Sequence, residues 1–338
     1  MDNEKMDDLF NVEKMERTIK KAKRRATWKT VLITMLVLTF IVVFIALANP
    51  KATGVMEGKV TDSIRGMHEI SAPNEFIGKL ERYPGFLGGK SYYTTYKIIE
   101  GKVVYTGEEG YGYGLFRDEV LSKGGGYPAI IGEAFTEGEA EKPTYNELGQ
   151  RKMIFYYPFL PYESYRHDLD LLDEIGQDKM MEVALSFDQG HTLQEVQSLI
   201  PNDVTLSWVW VDDVDEENDS FQAETMDENG EIVSLGDYLV RPEDTVYGFS
   251  LFDANGDEAE EPALSFIRII SSGQKYKTRW QGEYKRLYET LSGEDGILAG
   301  NDLQYFGAVV TGNVETLSQL KDLPFIKASS IGVITDKY

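Results

Sequence analysis

The chain has no cysteine among its 338 residues and only three histidines. The first absence excludes disulfides, thiolate zinc sites and cysteine nucleophiles together. It also means that a folded region of this size rests on packing rather than cross-links, which fits a bacterial surface protein somewhat better than a eukaryotic secreted one. The histidines, His68, His167 and His191, are not spaced to present two metal ligands on one helical face, and no GxSxG elbow is present. No residue pattern therefore points to an enzyme, a metal or a cofactor. Positive charge is also scarce beyond the first thirty residues. Residues 1–30 carry nine Lys/Arg and six Asp/Glu, leaving 25 Lys/Arg against 51 Asp/Glu in the rest. A body that acidic repels nucleic acid and anionic surfaces at long range, so direct nucleic-acid binding is not expected.

Several chemistries are approached but not reached. Gly85-Phe-Leu-Gly-Gly89-Lys90-Ser91 ends like a phosphate-binding loop, but Pro84 stands where the leading glycine is needed, and a strand-like tyrosine run follows instead of a helix. Gly110-Tyr-Gly-Tyr-Gly114 reads as a flexible turn. The acidic runs at 212–219 and 253–261 lack EF-hand spacing and read as solvated loops.

One long apolar run is present. Thr30 to Ala48 is nineteen residues without a charge, about 28 Å as a helix, which matches the hydrocarbon thickness of a bilayer. Asn49-Pro50 is expected to stop that helix, and Trp28 stands at its boundary. Seven basic residues and no acidic one lie between Arg17 and Lys29. The positive-inside rule then keeps the N-terminus cytoplasmic and the long C-terminal part extracellular, in a single-pass cell-membrane protein. Ala46-Leu47-Ala48 offers a possible cleavage site after Ala48. The apolar run and the segment before it are nonetheless longer than a signal peptide's, so the reading is an uncleaved anchor.

Residues 1–29 form a cytoplasmic segment of amphipathic and basic character. Leu9, Val12, Met15 and Ile19 recur at helical spacing with Phe10 beside them, and these five are the candidate partner contacts. Arg17, Lys20, Lys21, Lys23, Arg24 and Arg25 are candidates for electrostatics at a membrane surface or partner. Whether the apolar stripe lies on the lipid bilayer or is bait for a cytoplasmic partner stays open at this level. Beyond the anchor at 30–48, residues 49–150 read as β-rich: Tyr92, Thr94, Tyr96 and Ile98 alternate, and KVVYT forms their hairpin partner. Residues 107–149 read as long loops with short elements. Residues 151–338 read as α+β, with β-α-β units on a mostly antiparallel sheet. Strands are expected at 181–187, 204–212, 245–252, 263–270, 305–312 and 326–335. Thr192 caps a helix with Glu195 as its box partner, further helices fall at 316–323 and 280–291, and RHDLDLL (166–172), which holds His167, reads as an amphipathic helix. The Asn229-Gly230 turn belongs to an exposed excursion over 212–240.

The run FNVEKMERTIKKAKRRATWKTVLITMLVLTF (10–40) resembles the N-terminal segment of membrane-bound sigma-factor regulators of Gram-positive bacteria. KMIFYYPFLPYESYRHDLDLLDEI (152–175), MMEVALSFDQGHTLQEVQSLIPNDVTLSWVWVDD (180–213) and VYGFSLF (246–252) resemble their C-terminal extracytoplasmic domain. The similarity is greatest to anti-sigma factors of the sigma-M type and extends over most of residues 10–252. It implies a sigma factor held at the membrane through the cytoplasmic segment, an outer domain that senses envelope stress, and no catalytic activity. About 29 cytoplasmic residues is short for that task, so a second small membrane subunit is a candidate partner. The competing reading is an envelope-anchored binding or assembly protein whose N-terminus is only a topogenic signal.

Overall fold

The structure is a computed structural model that describes residues 12–115, 120–122, 135–140, 142–215, 219–226, 232–292 and 296–338. The chain forms two compact units, one ending at Val55 and one spanning Met56–Tyr338. Helix α1 (Val12–Ser71) supplies the described part of the first unit and the opening of the second. Pro50 lies inside it and does not end it, contrary to the expected stop. A proline in a helix interior removes one hydrogen bond and costs about 3 kcal/mol. The following turns outweigh this cost, because Ile64, Met67 and Ile70 are buried at helical spacing in the second unit.

In the second unit, a four-stranded antiparallel meander follows the helix: β1 (Glu75–Pro84), β2 (Gly88–Ile99), β3 (Lys102–Gly114) and β4 (Val120–Ser122). The buried face of β2 is Ser91, Tyr93, Thr95, Lys97 and Ile99, not the Tyr92–Ile98 register that catches the eye in the sequence. Gly110–Gly114 is no flexible turn either. It lies in β3, with Tyr111 and Tyr113 facing inward against Tyr93, Ile64, Met56 and Val60. Alternating glycine and tyrosine is a period of two, and here it is a strand with one aromatic face. The Tyr111 hydroxyl meets Thr61 Oγ1 at 2.6 Å, so its polar tip is satisfied inside the cluster.

Short elements follow: β5 (Phe135–Thr136), helix α2 (Glu137–Ala140) and β6 (Ile154–Phe155). A 3₁₀ helix, Asp168–Glu174, begins directly after His167, tighter than the expected α-helix. The main sheet is built from β7 (Lys179–His191) and β8 (Thr205–Val211), with helix α3 (Leu193–Leu199) between them. Both halves of the expected capping box are present: Glu195 N donates to Thr192 Oγ1, and Thr192 N donates to Glu195 Oε2 at 2.8 Å. Strands β9 (Gln222–Met226) and β10 (Ile232–Pro242) pair with each other, and β10 also pairs with β5 and β6. The Asn229-Gly230 turn lies outside the described residues. Strand β11 is only Gly248–Ser250, shorter than expected. At Gly248 a Cβ would collide with the Val209 carbonyl and the Trp208 ring, so this close strand approach needs glycine.

Residues 263–270 are not a strand but part of helix α4 (Pro262–Gly273). Pro262 sits at its start, where proline is tolerated, and Phe266 and Ile270 are its buried i, i+4 pair. Helix α5 (Gln281–Leu291) follows, and Tyr284, Leu287 and Leu291 bury its inner face. The chain ends with β12 (Tyr305–Asn313), the one-turn helix α6 (Val314–Leu317) continued by a 3₁₀ turn, and β13 (Ile326–Asp336).

The main sheet runs β11-β8-β12-β7-β13 and is antiparallel throughout. Strand β12 lies between β7 and β8, and β7 lies between β12 and β13. Each β-α-β unit is therefore split by a strand of the other, the interleaved ferredoxin-like arrangement with β11 added at one edge. On one face, Val183, Leu185, Val209 and Val211 meet the helices and the end of α1. On the other, Ala184, Trp208, Trp210 and Val309 are covered by Met153, Phe155, Tyr156 and Tyr157. With both faces covered, the strands are buried almost continuously, which is why their alternation is weak in the sequence.

Candidate functional site: the exposed helix and its anchor

Residues 12–47 of the first unit are exposed throughout. Val12, Met15 and Ile19 are 71%, 52% and 49% exposed. Successive helical residues step by about 100°, so these three fall within an arc of about 60°, a narrow apolar stripe. Leu9 and Phe10 lie outside the described residues. Arg17, Lys20, Lys21, Lys23, Arg24, Arg25 and Lys29 are all exposed. The same step spreads them over about 240° of the circumference, a collar rather than a face. Arg17 reaches Glu13 at 3.1 Å, an exposed i, i+4 pair of about 0.3–0.5 kcal/mol that fixes little. Thr18, Thr27 and Thr30 donate their hydroxyls to the carbonyls four residues back, so these polar side chains are satisfied within the helix.

The apolar run follows at once. Fourteen large apolar side chains from Val31 to Leu47 are exposed, Phe40 and Leu47 most of all. At about 2 kcal/mol each, leaving them in water would cost on the order of 30 kcal/mol, more than a typical domain's whole stability. This is the one helix long and apolar enough to cross a membrane among the described residues.

Polar groups that the sequence did not single out are buried in the second unit. The Lys97 ammonium on β2 sits 2.7 Å from Glu182 of β7 and 3.0 Å from Glu243 after β10. Glu182 also accepts from Asn74 Nδ2 at 3.2 Å and from the Val333 N–H at 3.1 Å. Lys152 pairs with Asp244 at 2.9 Å beside it. Three sheets meet at this junction. Burial alone would lower the Lys97 pKa, but the Glu182 and Glu243 carboxylates overcome it and hold it above the ordinary lysine range. Burial raises Glu243, with Lys97 and Lys152 pulling against it. A second cluster joins Asp213 to Arg286 at 3.4 Å and Arg241 at 4.0 Å; burial raises the Asp213 pKa and the two guanidinium groups oppose the rise. No sequence signal marked the first cluster: Lys97 lies on the strand face with Ser91, Tyr93 and Thr95, opposite the Tyr92–Ile98 alternation.

The acidic run at 212–219 is not wholly solvated, since Asp213 is buried. Residues 85–91 form the turn between β1 and β2 and the start of β2, with no helix after them. Asp253 accepts the backbone N–H groups of Asn255 and Asp257, which hold its carboxyl below the usual range. No group of three or more acidic or histidine side chains is placed to hold a metal among the described residues.

Two family models match the chain: sigma factor regulator N-terminal over residues 16–104, and sigma factor regulator C-terminal over residues 172–333. The chain belongs to the sigma factor regulator family. The N-terminal match takes in the basic collar, the apolar run, the first two strands and the start of β3, and the C-terminal match takes in the interleaved sheet as far as Val333 in β13. The partner that membership in this family implies is a sigma factor. No curated protein and no solved structure matches. In this sigma factor regulator the apolar stripe on α1 is exposed, with the basic collar beside it.

Proposed function

We propose that the protein is a membrane-anchored anti-sigma factor of the sigma-M type. Residues 1–29 lie in the cytoplasm and hold an extracytoplasmic-function sigma factor away from RNA polymerase. The apolar run crosses the cell membrane once, and the acidic second unit lies outside, where it responds to the state of the envelope. The protein acts by binding, with no catalytic step of its own. The carrying observation is the exposed stripe Val12–Met15–Ile19, immediately before seven basic residues and a membrane-length helix, in a chain of the sigma factor regulator family. The positive-inside rule gives the orientation. A stripe of three or four side chains is a small footprint for tight binding, and a second small membrane subunit would enlarge it.

The size of the second unit favours one other reading, an envelope-side binding protein whose N-terminus only directs insertion. Deleting residues 2–16 separates the two. The collar and span remain, so the protein still inserts. The anti-sigma reading expects transcription from the sigma factor's promoters to rise to the level of a full gene deletion. Unchanged transcription, with the truncated protein present in the membrane, would favour the other reading.

A further inference from the structure

The turn between β1 and β2 carries bulky apolar side chains into solvent. Phe86 is 69% exposed at its tip, Tyr83 is 55% exposed, and Leu115, joined to the tip through its N–H to the Leu87 carbonyl, is 57% exposed. The turn is well formed, closed by the Gly85 N–H on the Gly88 carbonyl at 2.7 Å. Phe86 is thus displayed by a built hairpin rather than left over from a loop. Its place in the unit is informative. Arg82, four residues before the tip, pairs with Glu57 at 2.8 Å, and Ser91 on the returning strand donates to the same carboxylate at 3.1 Å. The tip therefore lies at the end of the second unit where the chain enters it. The apolar run ends at Ala48, only eight residues before Met56, a tether of at most about 28 Å even when fully extended.

Arg82 and Lys90 are exposed on the two strands of the hairpin, with Lys90 opposite Tyr83 in the strand register, and the Tyr83 hydroxyl donates to Glu81 Oε2 at 3.0 Å. The chain beyond residue 30 is otherwise dominated by its 51 acidic side chains. An aromatic tip with flanking cations is the composition that suits the lipid headgroup region, where rings enter the boundary and basic groups meet phosphates.

The geometry points to a second membrane contact: the β1–β2 hairpin inserts Phe86, with Tyr83 and Leu115 beside it, into the bilayer leaflet on the C-terminal side of the span. This rests on the membrane anchoring proposed above. Two attachments constrain the second unit's tilt where a single helix would leave it free, so the state of the leaflet bears directly on its orientation.

The absence of cysteine makes the test clean, because one introduced cysteine is a unique label site. Phe86→Cys, Val103→Cys and Phe40→Cys are made in the full chain, labelled with an environment-sensitive fluorophore and reconstituted in phosphatidylcholine–phosphatidylglycerol vesicles containing a lipid-borne quencher. Val103 is exposed at the opposite turn of the same meander, about 36 Å along the strands. Phe40 sits in the span, so its quenching reports anchoring separately from the hairpin. The expected result is strong quenching at 40, clear quenching at 86 and none at 103. Quenching at 40 with none at 86 overturns the hairpin contact while leaving the anchor intact. A label at 86 that is shielded from aqueous iodide but untouched by the lipid quencher also overturns it, because a protein then covers the tip.

Discussion

Met15→Asp is expected to free the sigma factor. Met15 lies in the middle of the stripe, and a side chain in that position within a binding groove is desolvated on association. Burying a new carboxylate there in place of a thioether costs at least the 2–3 kcal/mol of a typical hot spot, about a 100-fold loss of affinity. Transcription from the target promoters should then approach that of a deletion strain. The helix itself survives, because aspartate in an exposed helical position costs only about 0.7 kcal/mol. Thr18→Asp controls for charge and propensity: residue 18 falls outside the stripe's arc, about 60° from Met15 and about 100–120° from Ile19 and Val12, and its substitution should leave transcription repressed. Met15→Leu keeps the apolar volume and should also repress. Equal derepression by Met15→Asp and Thr18→Asp would mean that net charge, not the stripe, governs the effect.

The second large effect is structural. Lys97→Met should destabilise the second unit by about 3–5 kcal/mol at neutral pH, read by denaturant unfolding of the full chain in detergent, because it strands Glu182 and Glu243 in the interior without their cation. Against a typical stability of about 5–15 kcal/mol, that loss is large. Its pH dependence has a definite sign. Burial raises the Glu243 pKa in the folded state above its ordinary 4.5, and removing Lys97 takes away the larger of the two cationic influences that oppose the rise. The folded variant then binds a proton more tightly than the unfolded one, so its stability falls as pH rises toward neutral and recovers as pH drops toward about 4.5. A deficit that stays constant across that window would show that lost packing, and not stranded charge, is the cause. Replacing Lys97, Glu182 and Glu243 together by apolar residues should cost much less than Lys97→Met alone.

Much of the second unit was legible where local chemistry and tertiary structure agree. The Thr192–Glu195 box placed α3, and short apolar runs placed β7, β8, β12 and β13, because each signal is contained within a few residues. Failures came where one local rule was outweighed. Pro50 signals a stop, but burial of Ile64, Met67 and Ile70 carries the helix on. ALSFIRII is rich in strand formers, yet Phe266 and Ile270 at i, i+4 face the core with Pro262 at the start, so the helical period prevails over propensity. Gly110–Gly114 shows why glycine need not mean a turn: the tyrosines between the glycines carry the burial. The interleaved strand order, the aromatic cover of the second sheet face and the Lys97 junction unite residues far apart in sequence, and no local pattern encodes such pairings. The candidate site was legible in another sense. The stripe, collar and span follow from spacing and charge alone because residues 12–47 of this helix are exposed throughout.

The most direct test of the account is to isolate the tagged full-length protein from solubilised membranes and identify what copurifies, with Met15→Asp processed in parallel. The account predicts a sigma factor held by the native chain and lost from the variant, with equal amounts of both proteins in the membrane. A sigma factor retained by a chain lacking residues 2–16, or none captured by the native chain while the sigma factor is expressed, would contradict it.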